Sequence, residues 1–176
     1  MQLMKRKGNC SSCHPSARGA DGSHPLFTDF SFAALGVPRN REIPANADPA
    51  YYDLGLCGPL RADLAAMRGW CGQFKTPTLR NAAARRVFFH NGRVHALRDA
   101  VRFYAERDLQ PQDWYPSDGA GSVQRYDDLP LALRGNVDHI HVPLNRRYGE
   151  APLLSPADID DLVAFITTLT DADMTP

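Results

Sequence analysis

Three residues near the start of the chain carry the most specific chemistry: Cys10, Cys13 and His14, in the run Cys-Ser-Ser-Cys-His. C-x-x-C-H is the attachment signature of c-type haem. On a helix, positions i, i+3 and i+4 share one face. Two thiols so placed can add to the two haem vinyl groups, and the imidazole then lies under the iron as proximal ligand. That imidazole must bind through a neutral ring nitrogen, and its other nitrogen needs an acceptor, commonly a backbone carbonyl. The rival uses of C-x-x-C are half a zinc site and a redox dithiol. Cys57 and Cys71 could complete a zinc site, but His14 would then be unexplained. A thioredoxin-like site needs a βαβ pattern that the sequence lacks.

The other face of the iron is open at this level. Of the four methionines, Met1, Met4 and Met174 lie near the chain ends and Met67 is interior. His90 and His95 flank a turn. Tyr104 sits on the apolar face of a helix, where a core role also suits it. A Met ligand makes an electron carrier, an oxygen ligand lowers the potential, and an open face admits peroxide.

The elements that must position these groups are few. Thr76 reads as an N-cap and Pro77 as the first residue of a helix through "TPTLRNAAARR", stopping before the Asn91-Gly92 turn. Leu97, Val101 and Tyr104 fall on one face of a second helix. The clearest helix begins at Ser155, with Pro156 and Asp158 in its first turn and a stripe of Ile159, Leu162, Val163, Ile166 and Leu169. No strand pair is expected. Residues 15–63 carry scattered Gly, Pro and Asn but too many aromatics for disorder, so a long ordered loop is expected. The fold class is therefore mainly α, with few helices and long loops, in one domain over residues 1–176.

Composition excludes other classes. The 176 residues carry 20 basic and 20 acidic side chains with no single-sign run, which gives no support to nucleic-acid binding. No apolar run reaches membrane-spanning length, so no membrane insertion is expected. Four cysteines are too few for a disulfide scaffold.

"CSSCH", "PLFTDFSFAALGVPRN", "YYDLGLCGP", "CGQFKTPTLRNAA", "FFHNGRVHALRDAVRFY", "RYDDLP" and "LLSPADIDDLVAFITTLTD" together resemble the C-terminal haem domain of bacterial dihaem cytochrome c peroxidases. The branch shared with MauG-type protein-modifying enzymes is the nearest in pattern. The resemblance runs from about Gly8 to Asp171. It implies a cytochrome c-like domain with haem-wrapping loops, one covalent haem c, a periplasmic location, and a role relaying electrons or oxidising equivalents for peroxide reduction or protein oxidation. It implies an N-terminal haem domain and an export signal ahead of Met1, a small electron-donor or substrate protein as partner, and homodimerisation of the full-length enzyme. It makes a stand-alone monohaem carrier the alternative. In peroxidases of the family a Met ligand stands fourteen residues after the His of "FHNG". That offset from His90 lands on Tyr104, as in the MauG-like branch, so Tyr104 is the expected axial ligand opposite His14. A hard phenolate oxygen stabilises the more oxidised iron states. The family's interdomain calcium is not expected here, because Arg85 and Arg86 stand in the segment that would bind it.

Four further expectations follow. Arg80 is matched to a haem propionate by its bidentate guanidinium. Cys57 and Cys71 are expected to form a disulfide that fastens the loop before "FKTP". Trp70 and Trp114 are expected to be packing or interface residues. His24 is expected in a solvated loop, and no ligand role is assigned to His139 or His141.

Overall fold

Ser155 begins the best-specified element. In the computed structural model, which describes residues 3–174, its side chain accepts the amide of Asp158 while the Asp158 carboxylate accepts the amide of Ser155. This reciprocal cap, with Pro156 at the first position, starts helix α2, Pro156–Thr167. Ile159, Leu162 and Ile166 of the expected stripe are buried, and Val163 and Leu169 are half-buried.

Helix α1, Leu97–Glu106, packs against α2. It has two working faces. Phe103, fully buried, sits edge-on to Phe89 and Trp114 with centroids 5.0 and 5.3 Å away. Leu97, Val101 and Tyr104, the face legible in the sequence, are only partly covered by protein and line a cavity. Arg102 laces the outer face to Asp99, Glu106 and Asp113.

"TPTLRNAAARR" is not the expected helix; only Ala82–Ala84 form a single 3₁₀ turn. Its first half is irregular. The Thr76 amide bonds the Ser31 carbonyl, and Pro77 has no amide to offer. Asn81 then takes a left-handed φ of 59°. The same contact overturns the expectation of no strands: β1 (Phe32–Ala33) pairs antiparallel with β2 (Phe74–Lys75), Phe32 opposite Lys75. The pair is two residues long, too short for any alternation to show.

The long loop is ordered by buried side chains that satisfy its backbone. Arg39, 8% exposed, donates to the carbonyls of Asp48 and Tyr51 and faces Asp128. Cys57 and Cys71 are joined by a disulfide. Met4 corrects another expectation. It is 4% exposed and packs with Ala105, Leu154, Ile159 and Leu162, because the π-helical turn Leu3–Lys7 seats it against α2. Met1 lies outside the described residues. Among the described residues no helix is long and apolar enough to cross a membrane.

Candidate haem site

Cys10–Ser12 form a 3₁₀ turn, and the His14 amide bonds the Cys10 carbonyl at 2.8 Å. That turn gathers Cys10, Cys13 and His14 on the wall of one cavity of about 430 Å³. The cavity floor comes from α1 (Leu97, Ala100, Val101, Tyr104) and α2 (Leu162, Ile166). The opposite walls come from 33–37, 72–79 and 138–144. A mostly apolar cleft of this size is built for a cofactor-sized ligand.

His14 is oriented by the backbone. Its Nδ1 lies 2.7 Å from the Phe27 carbonyl oxygen, which can only accept, so Nδ1 carries the proton and Nε2 the lone pair. Nε2 has no hydrogen-bond partner among the described residues. Burial lowers the His14 pKa, against the Phe27 bond and Asp29, so the ring is neutral at neutral pH. This is the tautomer a metal needs.

The two cysteines are unbridged. Burial pushes the Cys10 thiol up to about 11 and raises Cys13 as well. Neither is a free thiolate at neutral pH. Burial also drives the Tyr104 phenol far above the ordinary range; Cys10 and Cys13 add to the effect and Arg107 opposes it. The Tyr104 hydroxyl has no hydrogen-bond partner among the described residues.

Of the other candidates, His90 also lines the cavity, with its ring stacked on Phe74 at 3.5 Å and Nε2 3.4 Å from Asp128. Met67 is 48% exposed and off the cavity wall, as is His95, which faces Glu42 at 3.8 Å. Arg80, expected at a haem propionate, lies off the cavity wall. It does not reach the cavity, because Nε donates to the Pro25 carbonyl at 3.0 Å and Nη1 faces Asp171 at 3.6 Å. The two cations that do line the cavity are Lys75 and Arg85, and neither has a carboxylate partner among the described residues. Sequence reasoning missed both. They lie inside "FKTP" and "NAAAR", and their place becomes visible only once the Phe74–Lys75 strand and the Ala82–Ala84 turn are known. It also missed Met4 and His141, another lining residue, whose Nδ1 pairs with Asp138 at 2.7 Å. The zinc alternative loses its donors, since Cys57 and Cys71 are consumed in the disulfide. Among the described residues no cluster of three or more His, Cys, Asp or Glu side chains gathers for a metal ion.

This donor set was compared with known proteins. No family model matches the chain. The methylamine utilization protein MauG of Paracoccus denitrificans is 29% identical over 178 residues, which is 96% of this chain and 41% of that protein. MauG of Methylophilus methylotrophus is 28% identical over 60% of the chain. The crystal structure of the dihaem peroxidase BthA from Burkholderia thailandensis superposes with a TM-score of 0.84 at 45% identity, covering 97% of this chain. The chain is a homologue of the MauG-like dihaem peroxidases. A tyrosine-to-methionine variant of BthA also superposes at 0.84. A MauG-like protein associated with microbial copper homeostasis shares the fold at 22% identity and a TM-score of 0.56. The chain spans about 41% of the length of P. denitrificans MauG and of BthA.

Proposed function

We propose that this chain is one cytochrome c-like domain that holds a single covalent haem c and serves as the electron-relay half of a dihaem peroxidase-like oxidoreductase. The observation that carries the reading is the convergence of Cys10, Cys13, His14 and Tyr104 on one apolar cavity, with the His14 Nε2 lone pair kept free by the Phe27 carbonyl.

In this reading Cys10 and Cys13 would hold the haem through thioether links, and His14 Nε2 would be a nitrogen donor to its iron. Tyr104 would be an oxygen donor to the iron. Lys75 and Arg85 would take the role expected of Arg80 and pair with the two cofactor carboxylates. Leu97, Val101, Leu162 and Ile166 exclude water. When bound, the haem supplies an iron centre that takes up and releases single electrons.

The description of BthA as a dihaem peroxidase points to peroxide as oxidant. The reading therefore includes a second haem domain, an electron-donor or substrate protein, a homodimeric full-length enzyme and a periplasmic location. The Cys57–Cys71 disulfide supports an oxidising compartment. A stand-alone monohaem carrier is the second reading. Met67 no longer supports it, but Met4, buried on the cavity wall, offers it a sulfur.

The test is expression with an export signal and haem-attachment machinery, followed by a pyridine haemochrome spectrum. Covalent haem that disappears in Cys10→Ala/Cys13→Ala supports the reading. A wild-type chain that takes up none overturns it. Ferric spectra that change on Tyr104→Phe favour the relay reading, whereas a change confined to Met4→Leu favours the carrier.

A further inference from the structure

Consecutive backbone carbonyls in the loop after the haem motif are each taken by a side chain. The Pro25 carbonyl accepts Arg80 Nε at 3.0 Å, the Leu26 carbonyl accepts Thr78 Oγ1 at 2.5 Å, and the Phe27 carbonyl is bound to His14 Nδ1 at 2.7 Å. The next residue reverses the direction: Thr28 Oγ1 donates to the Thr76 carbonyl at 2.7 Å, and both threonines are buried. The Thr76 amide then bonds Ser31, and the Cys13 carbonyl takes the Asp29 amide.

We propose that Thr78 and Arg80 are positioning residues for the proximal histidine: by clasping the Pro25 and Leu26 carbonyls they fix the Phe27 carbonyl that orients and polarises His14. The inference rests on the haem reading above but deepens it. It also gives a reason why "TPTLR" is not helical. The Thr76 carbonyl, the Thr78 hydroxyl and the Arg80 guanidinium all meet the same loop, at Thr28, Leu26 and Pro25. A helix over the same residues would turn Thr78 and Arg80 away from each other.

The backbone at Phe27 explains why a clasp is needed. Its φ is 52°, in the left-handed region that a bulky side chain disfavours. Such a conformation costs about 1 to 3 kcal/mol and persists only where the surroundings over-determine it. Here the carbonyls on its N-terminal side are pinned by Thr78 and Arg80, and its ring is 5% exposed, edge-on to Phe165 of α2. An acceptor held at a fixed position keeps the Nδ1–H bond short. That bond makes the imidazole a stronger donor through Nε2 and so favours oxidised iron. Arg80 is not a cofactor ligand; it acts through Pro25 and Phe27.

The experiment uses the haem-loaded chain, with midpoint potential and ferric EPR g-values as readouts, in Thr78→Val, Thr78→Ser and Arg80→Gln. Thr78→Val keeps the shape and removes the donor; Thr78→Ser keeps the donor. The expected result is a rise in midpoint potential with Val and Gln, worth about tenfold in the oxidised-to-reduced equilibrium, the lower end for a group that supports a metal ligand. The g-values shift in both, and Ser behaves as wild type. Variants that melt earlier but keep wild-type potential and g-values overturn the proposal, since the clasp is then only structural. A potential altered equally by Val and Ser also overturns it. Absence of covalent haem in the wild type sinks the cofactor reading itself, a failure seen before any variant is compared.

Discussion

The His14 ring and the Phe27 carbonyl, 2.7 Å apart, join the attachment motif to helix α2, because the Phe27 ring packs edge-on to Phe165 at 5.9 Å. One residue thus serves the core with its side chain and the site with its backbone. Phe27→Ala removes the packing and relaxes the left-handed backbone that presents the carbonyl. It is expected to cost about 3 to 5 kcal/mol, as for other buried Phe→Ala changes. Urea denaturation of the chain measures it. A cost under about 1 kcal/mol would show that the loop is held by the clasp alone.

Tyr104 separates a ligand from a core tyrosine. Its hydroxyl has no partner among the described residues. Removing the oxygen leaves no orphaned donor or acceptor, so Tyr104→Phe should change stability by less than about 1 kcal/mol. The ferric spectrum of the haem-loaded protein should change strongly. Tyr104→Met should instead raise the midpoint potential, since a thioether favours reduced iron over a phenolate. Wild-type spectra in both variants would return Tyr104 to the core.

Lys75 and Arg85 are the cations on the cavity wall without a carboxylate partner. Each is exposed, and Lys75 also lies over the Phe30 ring at 4.7 Å. If they face the cofactor carboxylates, Lys75→Gln and Arg85→Gln should each lower the midpoint potential, because loss of a nearby positive charge favours oxidised iron. Exposure limits the effect to about 0.2 to 1 kcal/mol each. Potentiometry reads it, and an unchanged potential in the double variant rules the pair out.

How much of this was legible beforehand follows from where information is local. The α2 cap and stripe are written in consecutive residues, and so is C-x-x-C-H. The α1 face of Leu97, Val101 and Tyr104 was legible as a period, but not as a cavity wall. A periodicity says that a face is apolar, not whether protein or cofactor covers it. "TPTLRNAAARR" misled because its helix-start chemistry is local, whereas its irregular course is held by carbonyls some 50 residues earlier in the chain. Arg80 failed for the same reason: its guanidinium was already committed to Pro25. Met4 was misjudged because nearness to a chain end says nothing of burial.

Arg107 is the most heavily used side chain near the site. It is 1% exposed, pairs with Asp108, and donates to the carbonyls of Leu35 and Asp138 at 2.9 and 2.7 Å. Both carbonyl owners line the cavity, and Arg107 follows Tyr104 by one turn of chain. Arg107→Met strands the buried Asp108 carboxylate, which Tyr126 also contacts. The expected loss is about 3 to 5 kcal/mol. Arg107→Met/Asp108→Leu should recover part of it, because the unpaired charge goes with its partner. A double variant no more stable than the single one would show that the lost carbonyl bonds, not the stranded charge, set the cost.

Acid should release the N-terminal turn from α2 as Asp158 takes up its proton. Lys7 contacts the Asp158 carboxylate, which also closes the cap on Ser155; these bonds, Lys7 first, lower the Asp158 pKa to about 2 from 3.8. A carboxylate depressed in the folded state contributes stability above its unfolded value and loses it as pH falls through the folded one. The contribution is therefore intact above pH 3.8 and gone near pH 2. Met4 and Cys10 pack near this turn, so its release should expose the attachment motif. Hydrogen exchange of residues 3–10 in the apo chain checks this. Protection should fall between those two values in wild type. In Asp158→Asn, where neither charge pair nor ionised cap exists, it should be low and flat across the same range. A wild-type loss of protection centred above pH 4 would assign the acid response to another group.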